Sequence, residues 1–232
     1  VQALPLTGLD LRLGPGAWPF AAEHRLRIAD HWHELVARRP QLWNGEVLIC
    51  LEAAVHGGVL TGRFAKTDYA SFVAWRDWGT PGAMACNMFG APVVLSADRA
   101  MIFAEMAAQT LNGGMIYPPS GSLEPRDIGP DGSVDVLGSI ATELREETGL
   151  DVAEAKPGRL FAIRDGYRLA VVQAIAFERT VAEIESGFAR HHDPQAELAR
   201  LVVIRSAGDV DPRMPAFAQD IVRRFDSWFG GP

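Results

Sequence analysis

Residues 133–150 read SVDVLGSIATELREETGL, and three of their glutamates stand where a helix gains nothing from them. Leu137, Ile140, Ala141 and Leu144 recur at i, i+3, i+4 and i+7, the apolar stripe of an amphipathic helix. Ser133 or Asp135 suits the N-cap, and Gly149 suits a left-handed end. Glu143, Glu146 and Glu147 then project away from the stripe or along its flank. Like charges at that spacing disfavour an isolated helix by roughly 0.2–0.5 kcal/mol per pair. Either the face is merely solvated, or a cation sits there. Hard anionic oxygens of this kind suit Mg²⁺ or Mn²⁺.

The surroundings favour the cation. A Pro- and Gly-punctuated loop, YPPSGSLEP (117–125), comes shortly before the helix, and Gly149 follows the glutamates at once. The whole chain of 232 residues carries a net charge of −7, which argues against a broad surface for long nucleic acid. A small phosphate-bearing ligand remains compatible, provided a metal or a local arginine offsets the negative potential. Hydrophobic content of 48% with 22% charged residues is that of a globular chain with a sizeable core. No run approaches the ~20 apolar residues of a membrane span, and the first residues lack a signal-peptide pattern, so a cytoplasmic location is the default. Cys50 and Cys86 lie in apolar runs without a C-x-x-C pair, which reads as two buried free thiols.

Outward from the motif, residues 19–40 read as one amphipathic helix, with Ile28, Trp32, Leu35 and Val36 inward and His24, His31 and His33 at the surface. Residues 45–55, 57–66 and 92–107 carry strand patterns, with turns at 56–58 and 96–99, and 68–78 a short helix. Beyond the motif come a hairpin (158–165 and 168–178), a helix near 180–190 and a strand at 198–206. A final helix over 214–229 carries Phe217, Ile221, Phe225 and Trp228 on one face. Strands and helices mix without regular βαβ alternation, so the class is α+β.

The stretch 120–150 resembles the Nudix hydrolases, whose signature is G-x5-E-x7-R-E-U-x-E-E-x-G-U with U apolar. Glu143, Leu144, Glu146, Glu147, Gly149 and Leu150 fall in register, and Gly121 takes the place of the signature glycine. Two departures stand out. Thr142 occupies the position of the family's arginine, which holds helix and loop together through a carboxylate. If Asp127 replaces the first signature glutamate, about seven extra residues follow it, and the insertion at 128–136 is expected to pack over the glycine loop and hold it.

The resemblance implies a mixed β-sheet packed between helices, an α/β/α sandwich, with an N-terminal helix and strand extension over about 1–90 of a single domain spanning 1–232. It implies hydrolysis of the pyrophosphate bond in a nucleoside diphosphate linked to another moiety, with Mg²⁺ or Mn²⁺ as cofactor. Glu143, Glu146 and Glu147 correspond to the metal-binding and catalytic set, Ser120 offers a backbone carbonyl, and Glu197 is a further acid in a later loop. Arg63, Tyr69, Tyr117 and Gly121 are candidates for contacting the substrate. Residues 42–78 are loosely similar to members acting on UDP-sugars, through Trp43-Asn44-Gly45 and Thr67-Asp68-Tyr69. The competing expectation is a protein of the same fold that binds a nucleotide metabolite without cleaving it. A homodimer is compatible with the sequence, which does not fix the oligomeric state, and His191, His192 and Asp193 receive no role.

Overall fold

The computed structural model describes residues 1–82, 84–191 and 197–229. The chain opens with two strands that hydropathy did not single out, β1 (Gln2–Leu6) and β2 (Gly8–Leu13). The expected first helix is divided at His24 into α1 (Pro19–Glu23) and α2 (Arg25–Arg38). His24 packs edge-on against Phe20 and Trp78, and His31 bonds Asp77 at 3.0 Å, so these two histidines hold helices together. His33 is exposed, as expected.

Next come β3 (Glu46–His56), β4 (Val59–Asp68) and α3 (Tyr69–Asp77). The Gly57–Gly58 turn has positive φ at both residues, as a two-residue hairpin requires. β4 pairs with β3 antiparallel and with β2 parallel, giving a three-stranded sheet in the order β2-β4-β3. Trp18, Ile28, Ile49, Phe72 and Trp75 form the core beneath α1 to α3.

The larger sheet takes β5 (Asn87–Leu95), β6 (Met101–Met106), β7 (Ile116–Tyr117), β8 (Ala155–Asp165), β9 (Arg168–Phe177) and β10 (Leu198–Ile204). With β1 its order is β1-β8-β9-β5-β6-β10, and β7 pairs off β6. β5 runs parallel to β9, while the other pairings are antiparallel. β5 begins five residues earlier than its hydropathy suggested and is buried along nearly its whole length, so it lies at the sheet centre.

Helices cover both faces of this sheet. On β5, a Cβ at Gly90 would come within 2.4 Å of Ile140 in α4 (Val136–Thr148), while the Phe89 ring packs 5.3 Å from Phe217 in α6 (Ala216–Arg223). Neighbouring residues in a strand point to opposite faces, so α4 and α6 sandwich the sheet. α5 (Val181–His191) lies between β9 and β10 in the chain, and α7 (Phe225–Trp228) continues α6 after a break at Arg224. The final helix is thus two segments, and all four of its expected inward residues are buried. The architecture is the mixed α+β sandwich that the sequence implied.

The insertion is anchored on β2 and shares a core with the glycine loop through Val134 and Leu123. Residues 128–134 fold into a small hairpin whose return arm bonds β2, with Leu13 N–H donating to Gly132 O at 2.9 Å and Val134 N–H to Leu11 O at 2.8 Å. Arg12 adds an ion pair with Asp131 at 2.8 Å. Val134 joins Leu11, Phe64 and Leu123 in the core between the two sheets. The β2 edge offers unpaired backbone groups, and they capture the insertion. Cys50 and Cys86 are free and fully buried in the same core. No helix among the described residues is long and apolar enough to cross a membrane.

Candidate active site

α4 starts where the Asp135 carboxylate accepts a hydrogen bond from Gly138 N–H at 2.8 Å, and it ends at Gly149 with φ of 74°. His191 at the end of α5 bonds the carbonyl of Glu146 at 2.8 Å and so supports the last turn. His192 and Asp193 lie outside the described residues. Ile140 and Leu144 are buried and Leu137 partly so, which turns the three glutamates toward a cleft of about 600 Å³.

The loop before α4 forms the cleft floor. Leu48 N–H donates to Leu123 O at 2.8 Å and Leu123 is buried, so β3 holds the loop as well. Gly121 faces Glu143 so closely that a Cβ would stand 2.3 Å from its carboxyl carbon. Only a glycine leaves that carboxylate its seat. A short 3₁₀ turn, Pro125–Asp127, follows. Buried Asp127 stabilises this turn by accepting from Glu124 N–H at 2.8 Å, and its carbonyl accepts from Asp135 N–H at 2.8 Å.

A cation does sit among the glutamates: it is Arg126. Its guanidinium donates to Glu143 at 2.8 Å and reaches Glu146 at 3.3 Å and Glu124 at 3.3 Å. Arg126 thus braces the loop to the helix, a tie that Thr142 does not provide. Neither Arg126 nor Glu124 was singled out from the sequence, although the search for a counter-charge to three glutamates leads to the nearest arginine in the loop.

Burial governs the ionisation of the cluster. Glu143, with 14% of its side chain exposed, is pushed up to about 7 by burial despite the pull of Arg126, with Glu146 and Glu197 pushing the same way. Glu147 is pushed up to about 8, first by burial and then by Glu143, Glu197 and Glu146. Its Oε2 is buried with no hydrogen-bond partner among the described residues. An unsatisfied buried carboxylate oxygen costs about 1–3 kcal/mol or more, so this atom marks a place where a ligand would be stabilising. Glu197, just before β10, lines the same cleft and is exposed.

The opposite wall comes from far away in the chain. Trp43 is 74% exposed, and its six-membered ring rests on Gly45, where a Cβ would come within 1.9 Å. The backbone beneath is tied down by Tyr69 N–H to Gly45 O at 2.9 Å and Ala70 N–H to the Asn44 side chain at 2.8 Å. Tyr69 lines this wall too, with its hydroxyl pushed up by burial.

The structure thus brings together Glu143, Glu146, Glu147, Glu197, Gly121 and Tyr69. Three other candidates do not line this cleft. Ser120 and Tyr117 border a smaller adjoining cavity of about 90 Å³. There the Ser120 hydroxyl donates to Pro118 O at 2.7 Å, and Tyr117 accepts from Asn112 at 3.0 Å. Arg63 is exposed on β4 in the three-stranded sheet and does not line the cleft. Among the described residues, no group of three or more His, Cys, Asp or Glu side chains is arranged to hold a metal ion, and Arg126 takes up oxygens of two of the helix glutamates.

No model of a protein family matches the chain, and no curated protein matches it significantly. Solved structures do. MutT from Methanosarcina mazei Go1 is similar at 17% identity over 60% of this chain and 92% of that one, with a TM-score of 0.38. DR0079 from Deinococcus radiodurans is similar at 10% identity over 75% and 98%, with a TM-score of 0.46. The Nudix domain of Shewanella oneidensis NrtR, solved with ADP ribose, is similar at 11% identity over 56% and 80%, with a TM-score of 0.36. Likenesses of this size say nothing about chemistry, which rests on the residues of the cleft.

Proposed function

We propose that this chain is a Nudix-type hydrolase, one domain over 1–232, that uses a divalent metal to split the pyrophosphate bond of a nucleoside diphosphate linked to another moiety. One observation carries the reading: Glu147, whose buried Oε2 has no hydrogen-bond partner among the described residues, lines a cleft shared with Glu143, Glu146 and Glu197. A donor set of carboxylates alone suits Mg²⁺ or Mn²⁺. Bound there, the ion would neutralise the diphosphate and polarise its P–O bond.

The chain's own residues divide the remaining work. Glu143, Glu146 and Glu147 would hold the ion once Arg126 is displaced. Glu197 is exposed, lines the cleft and has no ion pair among the described residues, which supports it as acceptor of the proton of the attacking water. Water oxygen bonds to one phosphorus, the bridging P–O bond breaks, and the other phosphate leaves with its electron pair. Trp43, already fixed on Gly45, presents an open ring on which a planar base stacks. That aromatic wall is the reason to favour a nucleotide over inorganic pyrophosphate.

One observation favours a second reading. Arg126 occupies two of the three helix carboxylates, as a protein that binds a nucleotide without cleaving it would tolerate. A panel of UDP-glucose, ADP-ribose, coenzyme A and NADH, each with Mg²⁺ and with Mn²⁺, separates the two. Hydrolysis of at least one at the diphosphate is expected. Uniform inactivity with measurable nucleotide binding would establish the second reading.

A further inference from the structure

We propose that Arg126 is an internal counter-ion that competes with the divalent metal for Glu143 and Glu146, and that it passes to the diphosphate of the substrate once the metal has entered. The inference rests on the metal reading of the cleft and adds its regulation: metal and diphosphate should each favour the binding of the other through this one side chain.

The competition follows from geometry. Arg126 donates to a Glu143 oxygen at 2.8 Å and reaches Glu146 at 3.3 Å, using lone pairs a metal would need. Glu143 cannot retreat toward the loop, because its carboxyl group lies against Gly121 with no space for even a methyl group between them. A guanidinium and a divalent ion on the same carboxylate oxygens would repel one another, so one must leave.

Arg126 is the side chain built to move. Its backbone is fixed in the 3₁₀ turn by the hydrogen bonds of Asp127, while 43% of its side chain is exposed, so a swing costs little burial. A displaced guanidinium still faces Glu124 in the same cleft, and a diphosphate would offer it stronger, planar, two-point acceptors. In the metal-free protein the same arginine lessens the repulsion among Glu124, Glu143 and Glu146.

The plain alternative is a static brace that ties loop to helix. The two differ in linkage. A brace predicts that Arg126→Gln lowers the melting temperature and leaves metal affinity equal or weaker. A counter-ion predicts that the metal alone binds more tightly when its competitor is gone.

The test titrates Mn²⁺ into wild type, Arg126→Gln and Arg126→Lys, with and without methylene diphosphonate as a non-hydrolysable diphosphate, corrected for Mn²⁺–diphosphonate association in solution. In wild type the diphosphonate should tighten Mn²⁺ binding by about tenfold or more, within the usual span of coupling between sites. Arg126→Gln should bind Mn²⁺ alone about tenfold more tightly than wild type and lose most of that coupling. Arg126→Lys keeps the charge without the fork, so its Mn²⁺ affinity should stay near wild type while its coupling falls. Equal or weaker Mn²⁺ affinity in Arg126→Gln, or undiminished coupling, overturns the proposal and leaves the metal site standing. Absence of Mn²⁺ binding in all three proteins overturns the metal reading and this inference together.

Discussion

The two ends of the cleft are held by different physics. At the acid end, Glu143 and Glu147 are desolvated, and Arg126 supplies the cluster's positive charge. At the aromatic end, Trp43 is mostly exposed, and what fixes it is a hydrogen-bonded backbone and a glycine that lets the ring sit flush. The first end stores electrostatic cost that a ligand relieves; the second offers surface at little cost. Substitutions should therefore differ in kind, with loss of turnover at one end and loss of affinity at the other.

The largest expected effect sits at the acid end. Glu147→Gln should lower turnover at saturating nucleotide by roughly 10²–10⁴-fold, the range for loss of a positioned acid–base group. A loss confined to KM would erase the contrast between the ends.

Trp43→Ala comes next. Stacking of a base on an aromatic ring is worth about 1–3 kcal/mol, so nucleotide affinity should fall by about 5- to 150-fold at nearly constant turnover under saturation. Affinity for methylene diphosphonate, which has no base, should not change. Equal weakening for both ligands would show that Trp43 shapes the whole cleft.

The smallest effect concerns pH in the metal-free protein. Burial raises Glu147 above its value in the unfolded chain, so the folded protein holds that proton more tightly. Its contribution to stability is therefore complete below the unfolded value and is lost as pH rises toward about 8. Melting temperature in the presence of a chelator should fall between pH 5 and pH 8, and less steeply in Glu147→Gln. Saturating Mg²⁺ should restore wild type at pH 8 by mass action and the variant much less. Identical pH slopes in both proteins would mean that Glu147 is solvated after all.

Local periodicity made α4 legible. Its cap, its left-handed end and the shared direction of its glutamates follow from 3.6 residues per turn, and Ile140 and Leu144 are buried as the stripe requires. Gly121 was legible for the same reason, as part of a short motif that stays local after folding. Arg63 was not, because side-chain type suggests a ligand contact while only the sheet decides where a residue at that place in β4 can reach. The insertion misled in part: proximity in sequence pointed to the glycine loop, with which it shares a core, but the unpaired edge of β2 anchors its backbone.

What the sequence determined by itself is the α+β class and the presence of one acidic helix face, since both follow from patterns a few residues long. Only the tertiary structure decided what answers that face. Arg126 lies 17 residues before Glu143 and Trp43 a further stretch back, on separate elements whose approach depends on how the two sheets share a core. Desolvation, which lifts Glu143 and Glu147, does not exist until that core has closed over them.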